Sequence, residues 1–299
     1  MVIAIRLTLV SPFAFFRFTF HFSFGMTKPQ VIFVDTGLIE YKTAWDLQHK
    51  LQHELIDRKL KKRDMDKEAV TVSERAVRVE DFLPSEREQT HHYMLFCEHP
   101  PVYTLGKSGS IDNLLLNEEQ LAAQGATFFK INRGGDITFH GIGQITGYPI
   151  LDLDYFFNDV HKYVRSLEEA VIRTCAEFNV IGSRINGYTG VWINDATNEN
   201  PKLRNRKICA IGVHLSRWVT LHGFAFNVST DISYFDAIIP CGIEDEDKSV
   251  TSLEKEISTK ISMNEVKLKL LNHFSDIFKF DYEEKSLQEI ENNLALPAN

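Results

Sequence analysis

Two residues of this sequence could do covalent chemistry if the fold brings them together. Cys241 stands in "AIIPCGIED", between Pro240, whose ring fixes φ, and Gly242, which relaxes it. That pairing predicts a sharp turn with an exposed thiol. Lys207 begins "KICAIGVHL", which reads as a buried strand. A lysine entering such a strand must either snorkel outward or point into a cavity that uses its charge. Strict alternation puts Lys207, Cys209 and Ile211 on one face, so Cys209 is a rival thiol beside the same lysine. A thiol with a pKa of about 8.5 is only about 3% thiolate at pH 7, and a nearby cation raises that fraction. Without such a partner a lone cysteine is structural. Cys175, on the apolar stripe of a helix, and Cys97, in "YMLFCEHPP", read as core. No GxSxG nucleophile elbow occurs, which argues against a serine hydrolase.

A third stretch, "RGGDITFHGIGQITGYP" (133–149), holds five of the chain's 16 glycines. Glycine serves where the backbone takes positive φ or where something approaches it closely. A dinucleotide fingerprint would follow a strand and open into a helix, whereas "GYPILDL" looks extended; a phosphate loop would need GK[ST], which is absent. Two readings of the loop remain open. It lines a pocket with Arg133 and His140 as polar fixtures, or it is a structural turn with Arg133 salt-bridged and His140 hydrogen-bonded.

The composition, 43% hydrophobic and 25% charged over 299 residues, is that of a soluble globular protein. A formal charge of −8 argues against a general nucleic-acid binder. Four scattered cysteines without a CxxC pair make zinc and a disulfide framework poor readings, and reduced thiols in the cytoplasm are expected. Residues 1–25 are apolar and rich in Phe, but Arg6, Arg17 and His21 interrupt them, so neither a spanning helix nor a signal peptide fits. They are expected to be an extension ahead of a soluble domain opening at Met26; a membrane-associated leader is the rival reading.

From there strand and helix signals alternate. "VIFVD", "YMLFCE", "FFKIN" and "WVTLHGFAFNVS" read as strands, and "GVWIN" with "KICAIGVHL" as a hairpin. Tyr41, Ala44, Trp45, Leu51, Leu55 and Ile56 recur at helical spacing, with residues 58–90 extending that helix outward before a solvated linker. Val160, Val164, Leu167, Val171, Cys175 and Phe178 mark a second helix, capped by Asn158 or Asp159, and "SMNEVKLKLLNHFSDIF" a third. The pattern predicts an α/β or α+β sheet with helices packed against it.

"RGGDITFHGIGQ" with the later "GYP", together with "EHPPVYTLG", "KICAIG", "HGFAFNV" and "PCG", resembles the lipoyl(octanoyl) transferases over roughly residues 26 to 280. The resemblance implies an α/β (α+β) fold, a mixed sheet flanked by helices as in biotin and lipoate protein ligase catalytic domains, with 26–290 as a single catalytic domain. It implies transfer of an octanoyl (or lipoyl) group from octanoyl-acyl carrier protein to a lysine of lipoyl domains in 2-oxoacid dehydrogenase complexes or of the glycine cleavage H protein. It further implies an acyl-thioester on Cys241 with Lys207 beside it. Substrate contacts would come from Arg133, Gly134, Gly135, Asp136, Ile137, Thr138, Phe139 and His140, from Ala210, Ile211 and Gly212, and from Gly223, Phe224 and Ala225. It implies no metal, cofactor, nucleic acid or membrane. The insert 58–90 and the loop 195–205 look longer than the family's compact form. An acidic carrier needs a basic face, for which Lys202, Arg204, Arg206 and Lys207 form one candidate and the run Arg58 to Arg63 another, while "EDEDKS" (244–249) would oppose it. The rival functions are an ATP-dependent lipoate or biotin ligase, which needs no catalytic cysteine, and a non-catalytic acyl-binding factor.

Overall fold

The computed structural model describes residues 28–73, 91–239 and 247–295. In chain order the elements are β1 (Gln30–Leu38), α1 (Tyr41–Ser73), β2 (His91–Glu98), β3 (Val102–Leu105), α2 (Glu118–Ala123) and β4 (Thr127–Lys130). There follow β5 (Ile137–His140), β6 (Gln144–Ile150), α3 (Val160–Glu177), β7 (Gly182–Ile185), β8 (Tyr188–Asn194), β9 (Asn205–Ser216) and β10 (Val219–Asn227). The chain closes with β11 (Lys248–Val250), α4 (Leu253–Ile257), α5 (Met263–Phe278), β12 (Asp281–Glu284) and α6 (Leu287–Ala295).

The apolar strands assemble into one mixed sheet ordered β12-β1-β2-β6-β10-β9-β8-β7, with β11 added to β9. β1 runs parallel to both β2 and β12, and from β2 through β7 each neighbouring pair is antiparallel. β2 and β10 are buried along most of their length, as near-continuous apolar runs require when both faces are covered. On one face, Leu167 and Val171 of α3 and Leu270 and Phe274 of α5 pack on Phe96 and Phe224. On the other, Leu51 and Leu55 of α1 and Ile290 of α6 cover Tyr93, Leu95 and Tyr148. This is the mixed sheet flanked by helices that the sequence leads one to expect.

Local chemistry sets the helix ends. The Asp159 carboxylate accepts from Lys162 N at 3.0 Å and caps α3; Ser262 caps α5. The buried stripe of α3 runs through Tyr163, Leu167, Ala170, Val171 and Thr174, whereas Val160 is exposed. Val160 is the first residue of the helix, and the buried face also holds Glu168, which accepts from Arg184 Nε at 2.9 Å and Gly190 N at 3.0 Å. These bonds tie α3 to both strands of the β7–β8 pair. α1 carries the charged run outward as far as Ser73. There Arg58 pairs with Glu54, and Lys59 bridges Asp152 and Asp154, so two members of that basic run are engaged within the molecule. The extension 1–25, residues 74–90 of the insert and Cys241 lie outside the described residues.

A second, three-stranded sheet, β4-β3-β5, was not legible as a separate layer. Its core of Tyr103, Leu105, Ile137 and Phe139 is closed by Ala237 and Ile238, at the end of a 3₁₀ turn over Ile232–Ala237. Among the described residues no helix is long and apolar enough to cross a membrane.

β6 and β10 approach so closely at their glycines that side chains are excluded. A Cβ on Gly223 would run into the Gly147 carbonyl oxygen, and one on Gly147 into the Phe224 ring. Neither backbone can retreat inside the sheet. Gly223→Ala should therefore lower stability by about 1–3 kcal/mol, as overpacked cores do; the urea midpoint at constant m-value measures it.

Candidate active site

Between the two sheets lies a cavity of about 420 Å³, within the usual range for ligand pockets. Its walls come from the glycine loop ahead of β5, from β6, β9 and β10, from the turn ahead of β8, and from Tyr41 at the start of α1. Of the residues expected to contact substrate, Arg133, Gly134, Gly135, Asp136, Ile137, Thr138 and His140 line it. So do Ala210, Ile211 and Gly212 of β9 and Gly223, Phe224 and Ala225 of β10, together with Lys207. Phe139 does not. Its ring is buried in the small-sheet core, stacked on Tyr234 at 4.5 Å.

The glycine loop is smooth because it is pressed against β9. Gly134 N donates to Val213 O at 3.0 Å, and a Cβ on Gly212 would sit 2.7 Å from the Gly134 carbonyl oxygen. Gly135 takes φ +88°, where glycine is favoured. An anion would need loop amides pointing at it, but the amide of Gly134 is engaged by β9 and that of Ile137 by the Asp136 carboxylate at 2.7 Å. The Asp136 carboxylate, which also accepts from Asn113 Nδ2, would itself repel a phosphate. The glycine backbone itself offers a smooth wall without side chains.

One chain of hydrogen bonds holds the polar fixtures. Arg133, 8% exposed, donates from Nη2 to Thr104 O at 2.6 Å and to Thr104 Oγ1 at 3.1 Å. His140 Nε2 lies 3.2 Å from the same hydroxyl, and Nδ1 lies 2.9 Å from Gln144 Oε1. Gln144 Nε2 donates to Phe139 O and to Asn227 Oδ1, so Oε1 must accept from His140. The tautomer follows: His140 carries its proton on Nδ1, and Nε2 accepts the Thr104 hydroxyl proton. Asn227 Nδ2 ends the chain on Thr251 O at 3.0 Å.

A second network lies behind Tyr148. His99 Nδ1 donates to Ile39 O and Nε2 accepts from Tyr148 OH, both at 2.7 Å, while Tyr41 stacks on His140 with centroids 5.7 Å apart. Burial drives these imidazoles neutral. His140 is held well below the ordinary 6.5 by burial and then by His99 and Arg133. His99 falls to about 4 through burial. His222, which also lines the cavity and takes φ +59°, falls to about 3 through burial and the Arg133 guanidinium.

Lys207 is 8% exposed, with its Nζ 4.6 Å from the Trp192 ring centroid. Cys209 is not beside it on that face. Going from Lys207 to Cys209 takes two steps on β9, but their partners Trp192 and Val191 are one step apart on β8. This β-bulge breaks the alternation. Lys207 faces the cavity, while Ile208 and Cys209 sink into the main core. Cys97, Cys175 and Cys209 are all buried, and burial pushes each thiol upward. Arg206 is not free for docking either, being held by Glu256 through two bonds of 2.7 and 2.8 Å.

Thr104, Gln144, Tyr148, His222 and Asn227 were not singled out as site residues, although each sits in a quoted motif. The available signal was a polar side chain inside an otherwise apolar strand, as in "VYTL" or "GFAFN".

The layout is an α/β domain with a glycine-walled cavity and a lysine at its wall, and comparison with other proteins places it. Residues 73–275 match the lipoyl protein ligase A/B catalytic domain. The chain is 49% identical over 257 residues to an octanoyltransferase of Cytophaga hutchinsonii, covering 86% of this chain and 96% of that relative. It is 51% identical over 245 residues to an octanoyltransferase of Flavobacterium psychrophilum, covering 82% and 94%. Among solved structures, a bipartite lipoate protein ligase from Thermoplasma acidophilum superposes with a TM-score of 0.57 at 16% identity, covering 90% of this chain and 91% of that one. Lipoate-protein ligase A bound with ATP gives 0.57 at 15%, covering 90% and 93%; at such identities the likeness concerns fold alone. The chain belongs to the lipoyl protein ligase A/B catalytic-domain family, among its octanoyltransferases.

The neutral histidines make stability depend on pH. In the unfolded chain they gain protons as pH falls through about 6.5, while the folded protein keeps His99 neutral to about 4, and His92 and His222 to about 3. Their contribution is full above that unfolded value and is lost downward, at about 1.4 kcal/mol per pH unit for each histidine. The urea midpoint should fall steeply between about pH 6 and 4. His99→Gln should flatten that slope by one proton; an unchanged slope would mean His99 is charged in the fold.

Proposed function

We propose that this protein transfers an octanoyl group from octanoyl-acyl carrier protein to a lysine of lipoyl domains, through a thioester on Cys241. The observation that carries this reading is the buried Lys207 at the wall of an apolar cavity, on a strand that pairs with the chain emerging from the Cys241 segment. Val250 lies opposite Lys207 in parallel register, and Thr251 N donates to Lys207 O at 3.0 Å. On the other side of the segment, Ile239 N donates to Asn113 O at 2.9 Å, and the Asn113 side chain reaches Asp136 at the cavity. Phe235 and Val250, which flank the segment in sequence, both line the cavity. The three described thiols are buried and pushed up, which supports Cys241 as the nucleophile.

The chemistry has two half-reactions. The Cys241 thiolate, stabilised by the Lys207 ammonium, attacks the octanoyl thioester carbonyl. A new C–S bond forms, the bond to the pantetheine sulfur breaks, and that thiolate leaves with a proton from Lys207. One thioester replaces another, so the step is nearly balanced and rests on position and thiolate fraction. In the second half-reaction the lysine amine of the lipoyl domain attacks. Lys207, now neutral, takes its proton, the C–N bond forms, and the Cys241 thiolate departs beside a restored ammonium. The octanoyl chain lies against the glycine wall, and Arg133 and His140 keep that wall in place. Acceptors of this chemistry include the lipoyl domains of 2-oxoacid dehydrogenase complexes and the glycine cleavage H protein. Residues 26–290 act as one catalytic domain in the cytoplasm.

Intact-protein mass spectrometry after mixing with octanoyl-acyl carrier protein, without ATP, tests this. A hydroxylamine-sensitive gain of one octanoyl group is expected, absent in Cys241→Ala and retained in Cys209→Ser. Lys207→Arg should slow both half-reactions by about 10²-fold or more, the usual worth of a placed acid–base group. If no adduct forms, and transfer occurs only with ATP and free octanoate, the protein is a ligase and this reading is wrong.

A further inference from the structure

We propose that Trp192 is the positioning residue for Lys207: its indole face fixes where the ammonium sits, and so how strongly the neighbouring thiol is activated. The proposal rests on the role given to Lys207 above. Two independent features converge on the pair. The first is the bulge, which sets Trp192 directly opposite Lys207 in the β8–β9 ladder and turns both toward the same side. Bulges next to active sites re-aim side chains in this manner. The second is the ring itself. Trp192 is fully buried, and its Nε1 has no hydrogen-bond partner among the described residues. A buried indole normally satisfies that donor. Here the ring is retained without it, and what its face holds is the Lys207 Nζ at 4.6 Å.

The arrangement is braced. The Tyr188 ring meets Trp192 edge-on, with centroids 5.9 Å apart at 76°, and carries Lys248 Nζ on its own face at 4.6 Å. Lys248 pairs with Asp247 at 3.0 Å, so a second cation is compensated close by. The Glu168 carboxylate, buried under α3, holds the Gly190 amide and with it the stretch of β8 that bears both rings. A lysine stem has four rotatable carbons and at 8% exposure has shed most of its water. The negative π-face replaces part of that hydration and attracts the ammonium to a position over the ring. Trp192 makes no contact with the cavity and is no catalytic residue; it acts through Lys207.

The test replaces Trp192 with mono-, di- and trifluorinated tryptophan by site-specific incorporation, which weakens the π-face while nearly conserving shape. The readouts are the pH dependence of Cys241 alkylation by iodoacetamide, followed by mass spectrometry of that peptide, and the rate of octanoyl-enzyme formation at pH 7. We expect the thiol pKa to rise stepwise with fluorination, and acylation to slow by roughly tenfold across the series, the range of a desolvated cation–π contact. Trp192→Phe should fall within the series and Trp192→Leu beyond it. A flat fluorination series, in protein whose thiol pKa does rise on Lys207→Met, would overturn the role of Trp192. A thiol pKa unmoved by Lys207→Met would instead remove the Lys207–Cys241 pairing on which the proposal rests.

Discussion

Burying a guanidinium and an imidazole beside an apolar cavity forces the surrounding protein to supply their hydrogen bonds, and the meeting of the two sheets depends on that requirement. A buried polar group left unpaired costs about 1–3 kcal/mol, and a charged one more. The bonds run from Thr251 through Asn227, Gln144, His140 and Thr104 to Arg133, passing from the main sheet to the small sheet and then to the glycine loop. Each member has a defined donor or acceptor role, so the chain sets the tautomer of His140 as well as the spacing of the strands. Slipping β5 by one residue would part His140 from Thr104 and Gln144 at once.

The consequence for the cavity is electrostatic. Its imidazoles are kept neutral by burial, and Arg133 is turned toward the Thr104 and Gly134 carbonyls. Lys207 approaches the wall from the opposite edge, on β9. In a poorly solvated space a single charge acts with less screening than it would in water. The glycines contribute by letting the loop lie directly on β9, which leaves bare backbone between the charged side chains of Arg133 and Asp136 at the cavity wall.

The same fold serves relatives with different chemistry. A lipoate ligase crystallised with ATP shares this architecture at 15% identity, while octanoyltransferases are about half identical to the chain. Fold alone therefore does not separate activation by ATP from transfer between thioesters. In the function proposed above the distinction rests on particular side chains: Lys207, at the cavity wall on β9, and Cys241, which follows Ile239 and Pro240 in the sequence.

Much of this was legible in the chain itself. The helices from Tyr41 and Val160, the long strands and the β8–β9 hairpin follow from apolar periodicity, because burying one face is what those periods achieve. The motif stretches also contained the cavity's walls, since residue types with backbone demands, such as Gly134, Gly212 and Gly223, are visible in one dimension. Three things were decided only by tertiary structure. The small sheet is held by pairing among β3, β4 and β5, strands too short to show a period. Phe139 turned away from the cavity because its ring completes that sheet's core. Cys209 was parted from Lys207 by one extra residue in β9, and a bulge leaves no mark in the order of residues because it is a mismatch between two strands. Sequence determined which groups were present; the register between strands determined which of them face one another.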